Sequence, residues 1–210
     1  VVVTNGVYDV GGKVMTGDLM NRVAVDKVIS VVSLQGADVT TIRGVGPNGT
    51  NAIRCAWVDD GARLHGFTLS GGATRITGDA NKLCSGGGVW SPTIHAMISA
   101  CRVTGNSAYS AGGGAYLGSL LNCTVQGNST PGNGGGTYNS ILTGCRVSNN
   151  SATTGGGAYG GVLKGCAVTG NTAQNGGGAN LANLTSCTVT RNTAAVSLGG
   201  LMGGNAPNCV

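Results

Sequence analysis

A cysteine recurs along this chain at a nearly constant interval, and this period constrains the fold more than any other feature of the sequence. The spacings between successive members of the series are 22, 22, 21, 21 and 22 residues. A fixed period of this length is typical of a solenoid, in which each repeat forms one coil that packs on the next. The series consists of Cys101, Cys123, Cys145, Cys166, Cys187 and Cys209.

The first five cysteines of the series carry the same neighbours. A leucine or isoleucine lies three residues before each cysteine, a valine lies two after it, an asparagine lies five after it, and a glycine cluster follows. Stacked coils would turn the three apolar positions into interior columns and would let the asparagine amides bond from coil to coil. We therefore expect buried, reduced cysteines. We expect no metal site, because a column of parallel side chains supplies no converging ligands and the sequence has no CxxC pair.

The glycine content predicts strands joined by tight bends. Glycine accounts for 41 of the 210 residues, and glycine disfavours helices while allowing positive φ in bends. We predict an all-β, single-stranded, right-handed parallel β-helix with coils of 21–22 residues and adjacent coils about 4.8 Å apart. One domain would span residues 1–210, with irregular coils over 1–84 and regular coils over 85–210. The chain has no initial Met and stops as a new coil opens, so we expect a piece of a longer protein.

The repeat resembles one family of right-handed parallel β-helix proteins, the polymorphic outer-membrane-protein type with FxxN and GGA[ILV] motifs. Val103-Thr104-Gly105-Asn106 stands where that family has FxxN, and Gly113-Gly114-Ala115-Tyr116 stands where it has GGA[ILV]. Valine replaces the phenylalanine and tyrosine replaces the aliphatic residue. The resemblance implies the fold and an extracellular or cell-surface setting. It implies no activity, because β-helices serve as lyases, hydrolases, adhesins and ice binders.

The charge of the chain narrows the classes of partner. The net charge is +5 and only 9% of the residues are charged. No run of Lys or Arg suggests a nucleic-acid groove, so we expect no nucleic acid as partner. A sparse positive surface suits a carbohydrate, in particular an acidic polysaccharide. No segment is long and apolar enough to span a membrane, and nothing indicates a cofactor.

Two segments offer candidate catalytic residues. The segment WVDDGARLHGF contains two adjacent carboxylates and a histidine, which are groups that can carry out acid–base cleavage of a glycosidic bond. Residues 73–85 form an insertion that the other coils lack, and long loops on a rigid scaffold often carry function. A turn with a solvated histidine, and a loop without function, are the alternatives. The candidates are Asp59, Asp60, Arg63, His65, Asp79 and Lys82.

Five aromatic residues follow the glycine clusters, or the equivalent position, on successive coils. If the small residue before each aromatic points inward, the aromatic points outward, because strand side chains alternate. The series is then either an exposed platform for sugar rings or, with the opposite parity, a buried stack. The sequence leaves both alternatives open for Trp57, Trp90, Tyr116, Tyr138 and Tyr159.

These features leave several functions open. The primary interpretation is a structural or adhesive extracellular rod that contacts carbohydrate. The alternatives are a polysaccharide lyase or glycoside hydrolase acting on an acidic polysaccharide, and ice binding, for which the threonine rows are interrupted by arginines. The C-terminal end is expected either to pack on another molecule, as in end-to-end self-association, or to be the most mobile part of the rod, because a coil edge exposes unpaired backbone groups. Cys55 and Cys84 lie outside the cysteine column, and the sequence does not decide whether they form a disulfide.

Overall fold

The computed structural model describes all residues, 1–210, and contains 28 short strands and no helix. Almost every strand pairs in parallel with the equivalent strand of the next coil. The exception is β3 (Lys13–Val14), which pairs antiparallel with β4 (Met20–Val25) at the edge of one sheet. The predicted all-β parallel β-helix is confirmed. The structure contains no helix that could cross a membrane.

Three long sheets form the sides of the solenoid. The first sheet contains β1 (Val2–Val3), β5 (Ser30–Ser33), β8 (Arg63–His65), β11 (Met97–Ser99), β14 (Ser119–Leu121), β17 (Ile141–Thr143), β21 (Val162–Lys164) and β25 (Asn183–Thr185). The second contains β2 (Gly6–Tyr8), β6 (Thr40–Arg43), β9 (Thr68–Ser70), β12 (Arg102–Thr104), β15 (Thr124–Gln126), β18 (Arg146–Ser148), β22 (Ala167–Thr169) and β26 (Thr188–Thr190).

The third sheet begins with the β3–β4 pair, and a short fourth sheet lies between the second and third sheets in the last coils. The third continues with β7 (Ile53–Val58), β10 (Val89–Trp90), β13 (Ala115–Tyr116), β16 (Thr137–Tyr138), β20 (Ala158–Tyr159), β24 (Ala179–Asn180) and β28 (Leu201–Met202). The fourth contains β19 (Ser151–Thr154), β23 (Thr172–Asn175) and β27 (Thr193–Ala194).

The predicted columns form the interior. Leucine and isoleucine of the first sheet, valine of the second, and the cysteines between them belong to one continuous core. The Leu120, Cys123 and Val125 side chains of one coil are all at most 1% exposed. The backbone N–H of Cys123 points at the sulfur of Cys145, 3.4 Å away, and the same contact recurs along the column. Contact with Cys123 and burial raise the pKa of the Cys145 thiol to about 11, so it stays protonated at neutral pH.

The asparagines bond from coil to coil, as the sequence predicts. Asn150 donates from its backbone N–H and from Nδ2 to Oδ1 of Asn171, both at 2.9 Å, and from Nδ2 to the Val125 carbonyl at 3.0 Å. Its own Oδ1 accepts the equivalent pair of bonds from Asn128. The ladder therefore satisfies buried backbone and side-chain groups at the same bend of every regular coil.

Cys55 closes this ladder at its N-terminal end. Its thiol donates to Oδ1 of Asn106 at 3.3 Å, and the Gly72 N–H donates to the same oxygen at 2.8 Å. Burial raises the pKa of the Cys55 thiol to about 12. Cys84 is also a free thiol and donates to the Thr77 carbonyl. The question of a Cys55–Cys84 disulfide is therefore answered in favour of two separate thiols.

The glycine clusters are required by close approach of neighbouring coils. A Cβ on Gly136 would lie 2.3 Å from the Gly157 carbonyl oxygen, which is backbone and cannot move aside. Gly134, at the start of the same cluster, has φ +70°, a conformation that other residues rarely adopt. The clusters let the chain enter the third sheet while the asparagine ladder packs against it.

The difference between 21- and 22-residue coils is located between the asparagine and the glycine cluster. Ser151 and Thr154 pair with Ser129 and Asn133, so three steps along one coil match four along the other. The two 21-residue coils, together with β27 of the last coil, form the fourth sheet here, whereas the coils that begin at Cys101 and Cys123 bulge outward. The bulge of one longer coil contains Tyr109 and Ser110, and the bulge of the next contains Pro131 and Gly132.

Candidate functional site

The five aromatic side chains form one continuous stack on the outer face of the third sheet. The residue before each of four of them, such as Ala115 before Tyr116, is fully buried in the main core, so the aromatic ring points away from it. Successive ring centroids are 3.9, 6.2, 5.2 and 5.4 Å apart from Trp57 to Tyr159. The last three interplanar angles are at most 5°. The five rings therefore point outward, which answers the question of direction that the sequence leaves open.

Outward orientation does not make the whole stack accessible. Trp57, Trp90 and Tyr116 are only 7%, 4% and 8% exposed. Indole Nε1 of Trp90 donates to the Asn81 carbonyl at 2.7 Å, so residues 73–85, called the insertion below, contact this part of the stack. Tyr138 and Tyr159 are half-buried. The stack is thus covered at the Trp57 end and partly open at the Tyr159 end. It is neither a fully exposed platform for sugar rings nor a fully buried stack.

Arg54 anchors the insertion. It is 1% exposed and donates to the carbonyls of Lys82, Ser85 and Gly86 and to Oδ1 of Asn21, at 2.6 to 2.9 Å. Its guanidinium also lies over the Trp90 ring, 5.9 Å from the centroid. Burial lowers the pKa of Arg54 to about 9, so the group remains charged at neutral pH.

The position of the rings predicts unequal effects of truncation. Tyr116 is stacked between two rings, whereas Tyr159 has one ring neighbour and is half-buried. We expect Tyr116→Ala to lower the free energy of unfolding by about 2 kcal/mol and Tyr159→Ala by about 1 kcal/mol. Urea denaturation followed by circular dichroism measures both. Equal losses of unfolding free energy for the two variants would contradict the prediction that the covered end of the stack contributes more stability than the open end.

A groove of about 530 Å³ lies between the insertion and the bulges of the coils that begin at Cys101 and Cys123. The insertion contributes Ile76 and Ala80 to one wall, and the bulges contribute Tyr109, Pro131 and Asn133 to the other. Tyr109 is 48% exposed, although its backbone is fixed by a 2.9 Å bond from its N–H to the Thr74 hydroxyl. The groove therefore presents an accessible aromatic ring beside amide and backbone polar groups on a rigid scaffold.

The structure places Asp59 and Asp60 in a turn before β8. Asp59 accepts a bond from the Asp60 N–H, as expected of a turn. Asp60 accepts from the Thr93 hydroxyl and lies 3.1 Å from Nδ1 of His95. These bonds, that from Thr93 first, hold the pKa of the Asp60 carboxyl below its ordinary value. The Asp60–His95 pair is exposed, with side-chain exposures of 57% and 72%, and it does not line the groove beside the insertion.

The other candidates lie elsewhere. Arg63 is exposed on β8. His65, at the end of the same strand, bonds to the Ser99 hydroxyl at 2.9 Å. Asp79 accepts the backbone N–H groups of Asn81 and Lys82, which hold its pKa below the ordinary value and close a turn inside the insertion. No side chain of one candidate bonds to the side chain of another, so a catalytic role for these residues remains a prediction.

Several residues of these sites carry no signal in the repeat. Tyr109 lies in a bulge, outside the repeating positions, so the periodicity does not indicate it. His95 and Thr93 meet Asp60 only through the stacking of coils. Arg54 belongs to no motif. An arginine within an apolar strand such as IRCAWV nevertheless indicates a buried arginine that bonds to the surrounding backbone.

Comparisons of the chain with protein-family models, with curated proteins and with solved structures returned no match. The site must therefore be interpreted from its own geometry.

Proposed function

We propose that this protein is an extracellular or cell-surface binding rod that holds a carbohydrate chain in the groove beside the insertion. The observation that supports this most directly is the 530 Å³ open groove in which Tyr109 is exposed beside Asn133. Sugars are bound by an aromatic face that packs on the ring together with amide and backbone groups that bond to its hydroxyls. The half-exposed Tyr138 and Tyr159 on the adjacent sheet would extend the contact.

The surrounding structure suits binding without large rearrangement. The insertion is fixed by the buried Arg54 and by Arg75, which bonds to the Asp18 carboxylate at 3.0 Å and to the Gly49 carbonyl. The opposite wall consists of bulges between paired strands. A rigid groove loses little conformational entropy on binding, which favours a weakly interacting ligand such as a sugar.

A glycan array containing neutral and acidic polysaccharides, scored for both binding and chain cleavage, tests the proposal. We expect binding without cleavage, and an affinity about tenfold lower for Tyr109→Ala because an exposed stacking contact is lost. Val196→Ala is the control, since it removes an exposed apolar side chain away from the groove. Cleavage would instead favour the lyase or hydrolase alternative, and equal affinity of the two variants would exclude the groove as the site.

Two finer assignments accompany this proposal. The coil-to-coil asparagines and the glycine clusters support a repeat of the polymorphic outer-membrane-protein type. The second assignment is self-association through the end of the rod, where a coil edge exposes unpaired backbone groups. The core also opens into a cavity of about 310 Å³, lined only by apolar residues, among the first coils.

A further inference from the structure

The charges of this protein are segregated along the rod. All seven acidic residues lie within residues 1–79, whereas residues 80–210 contain five cations and no acid. The C-terminal coils therefore carry a positive charge that no carboxylate side chain of their own balances. Arg146 and Lys164, in the middle of this region, are exposed and are absent from the ion pairs of the structure.

Most of these cations flank a single bend. The first bend, defined here as the turn from the first to the second sheet in each coil, lies between two rows of outward side chains. On the second-sheet side, Arg102 pairs in register with Thr124 and Thr124 with Arg146, so the two arginines are two coils apart. On the first-sheet side, Lys164 pairs in register with Thr143 of the preceding coil, so it lies one coil beyond Arg146. The cations thus follow the bend along the axis of the rod.

The same bend contains a groove of about 340 Å³ at its N-terminal part. Its lining includes His65 and Arg102 from the two rows, and Asn122 and Thr124 from the next coil. Asp38 also lines it and forms an ion pair with Arg102, but both side chains are at least half exposed, so the pair stabilises the fold little. The guanidinium therefore remains available to an external carboxylate.

We propose that an acidic polysaccharide lies along the first bend, from the groove at His65 and Arg102 to Arg146 and Lys164. Two coils correspond to about 9.6 Å along the axis, so the cations match a polymer whose carboxylates are separated by whole sugar rings. Duplex DNA carries one charge per about 1.7 Å of axis, and a surface with so few cations would leave most phosphates unpaired. The spacing therefore favours an acidic polysaccharide over a nucleic acid.

The bend lies on a different part of the surface from the groove beside the insertion, and none of its lining residues is shared. The inference is therefore independent of the proposed function. Tyr109→Ala is expected to leave binding at the bend unchanged, which separates failure of one proposal from failure of the other.

Equilibrium binding of the whole chain to polygalacturonate tests the inference, with a neutral galactan and a duplex oligonucleotide as comparison probes. We expect R146Q/K164Q to bind polygalacturonate about tenfold more weakly, because two charge contacts are lost. The control K27Q/R191Q removes the same net charge from exposed positions off the bend and is expected to change the affinity less than about threefold. Unchanged circular dichroism would show that both variants are folded.

Three outcomes would overturn the inference. They are absence of polygalacturonate binding, an equal loss of affinity in the two double variants, and oligonucleotide binding as tight as that of polygalacturonate. An affinity that falls with added salt and depends selectively on Arg146 and Lys164 would support it.

Discussion

Arg54→Met is expected to lower the free energy of unfolding by about 4 kcal/mol, because several buried acceptors lose their donor at once. The guanidinium bonds to three carbonyls of the segment Lys82–Gly86 and to Asn21, and no carboxylate side chain accepts from it. Methionine fills much of the volume of the arginine side chain but donates no hydrogen bond. Hydrogen exchange of the insertion is expected to accelerate in parallel, since the same bonds fix it to the third sheet.

Arg63→Met provides the matched control for this prediction. Arg63 is exposed on β8, so its loss is expected to change stability by less than about 0.5 kcal/mol. Arg54→Lys is expected to resemble Arg54→Met, because one ammonium cannot reproduce the planar fork of donors. If Arg54→Met melts like the unsubstituted protein, the carbonyls of the insertion obtain equivalent bonds from water and Arg54 is not its anchor.

Asn150→Ala is expected to lower the free energy of unfolding by about 3 kcal/mol. The substitution removes the acceptor of two bonds from Asn128 and the donor of bonds to Val125 and Asn171, all in the interior. Chemical denaturation measures the loss. Because each asparagine bonds to the next, protection from hydrogen exchange is expected to fall on both neighbouring coils.

Asn51→Ala, at an exposed turn position, serves as the control for the ladder and is expected to be nearly neutral. A loss at Asn150 no larger than at Asn51 would mean that the ladder contributes no net stability. Such a result would contradict the structure, in which Asn150 is 1% exposed and all its side-chain polar atoms are bonded.

The sequence predicts most of the fold because the repeat specifies every coil independently. Leucine, cysteine, valine and asparagine occur at the same offsets in each unit, and stacking in register follows from that identity. The irregular first coils were less predictable. The antiparallel β3–β4 pair departs from the repeat, and no periodic signal precedes it.

The sites were less predictable than the fold, because they depend on contacts between coils and on the insertion. Ala115 and Tyr116 point to opposite faces of the strand. The ring of Tyr116 is therefore known to point outward only once the structure shows that Ala115 points into the core. Nothing in the sequence shows that the insertion covers Trp90, because its position depends on Arg54, which lies about thirty residues earlier in the chain. The grouping of cations along the first bend requires the register between strands.

The location of the extra residue in the longer coils has a consequence for how such a rod can change during evolution. The step from 22 to 21 residues occurs between Asn150 and Gly155, while the three interior columns keep their alignment. Insertions and deletions at this corner therefore alter the surface without disturbing the core. Removal of one residue from the bulge at Pro131, in the coil next to β19, would let that coil join the fourth sheet and would change one wall of the adjacent groove. The surface of such rods can thus change through single-codon length variation, while the residues that specify the core stay the same.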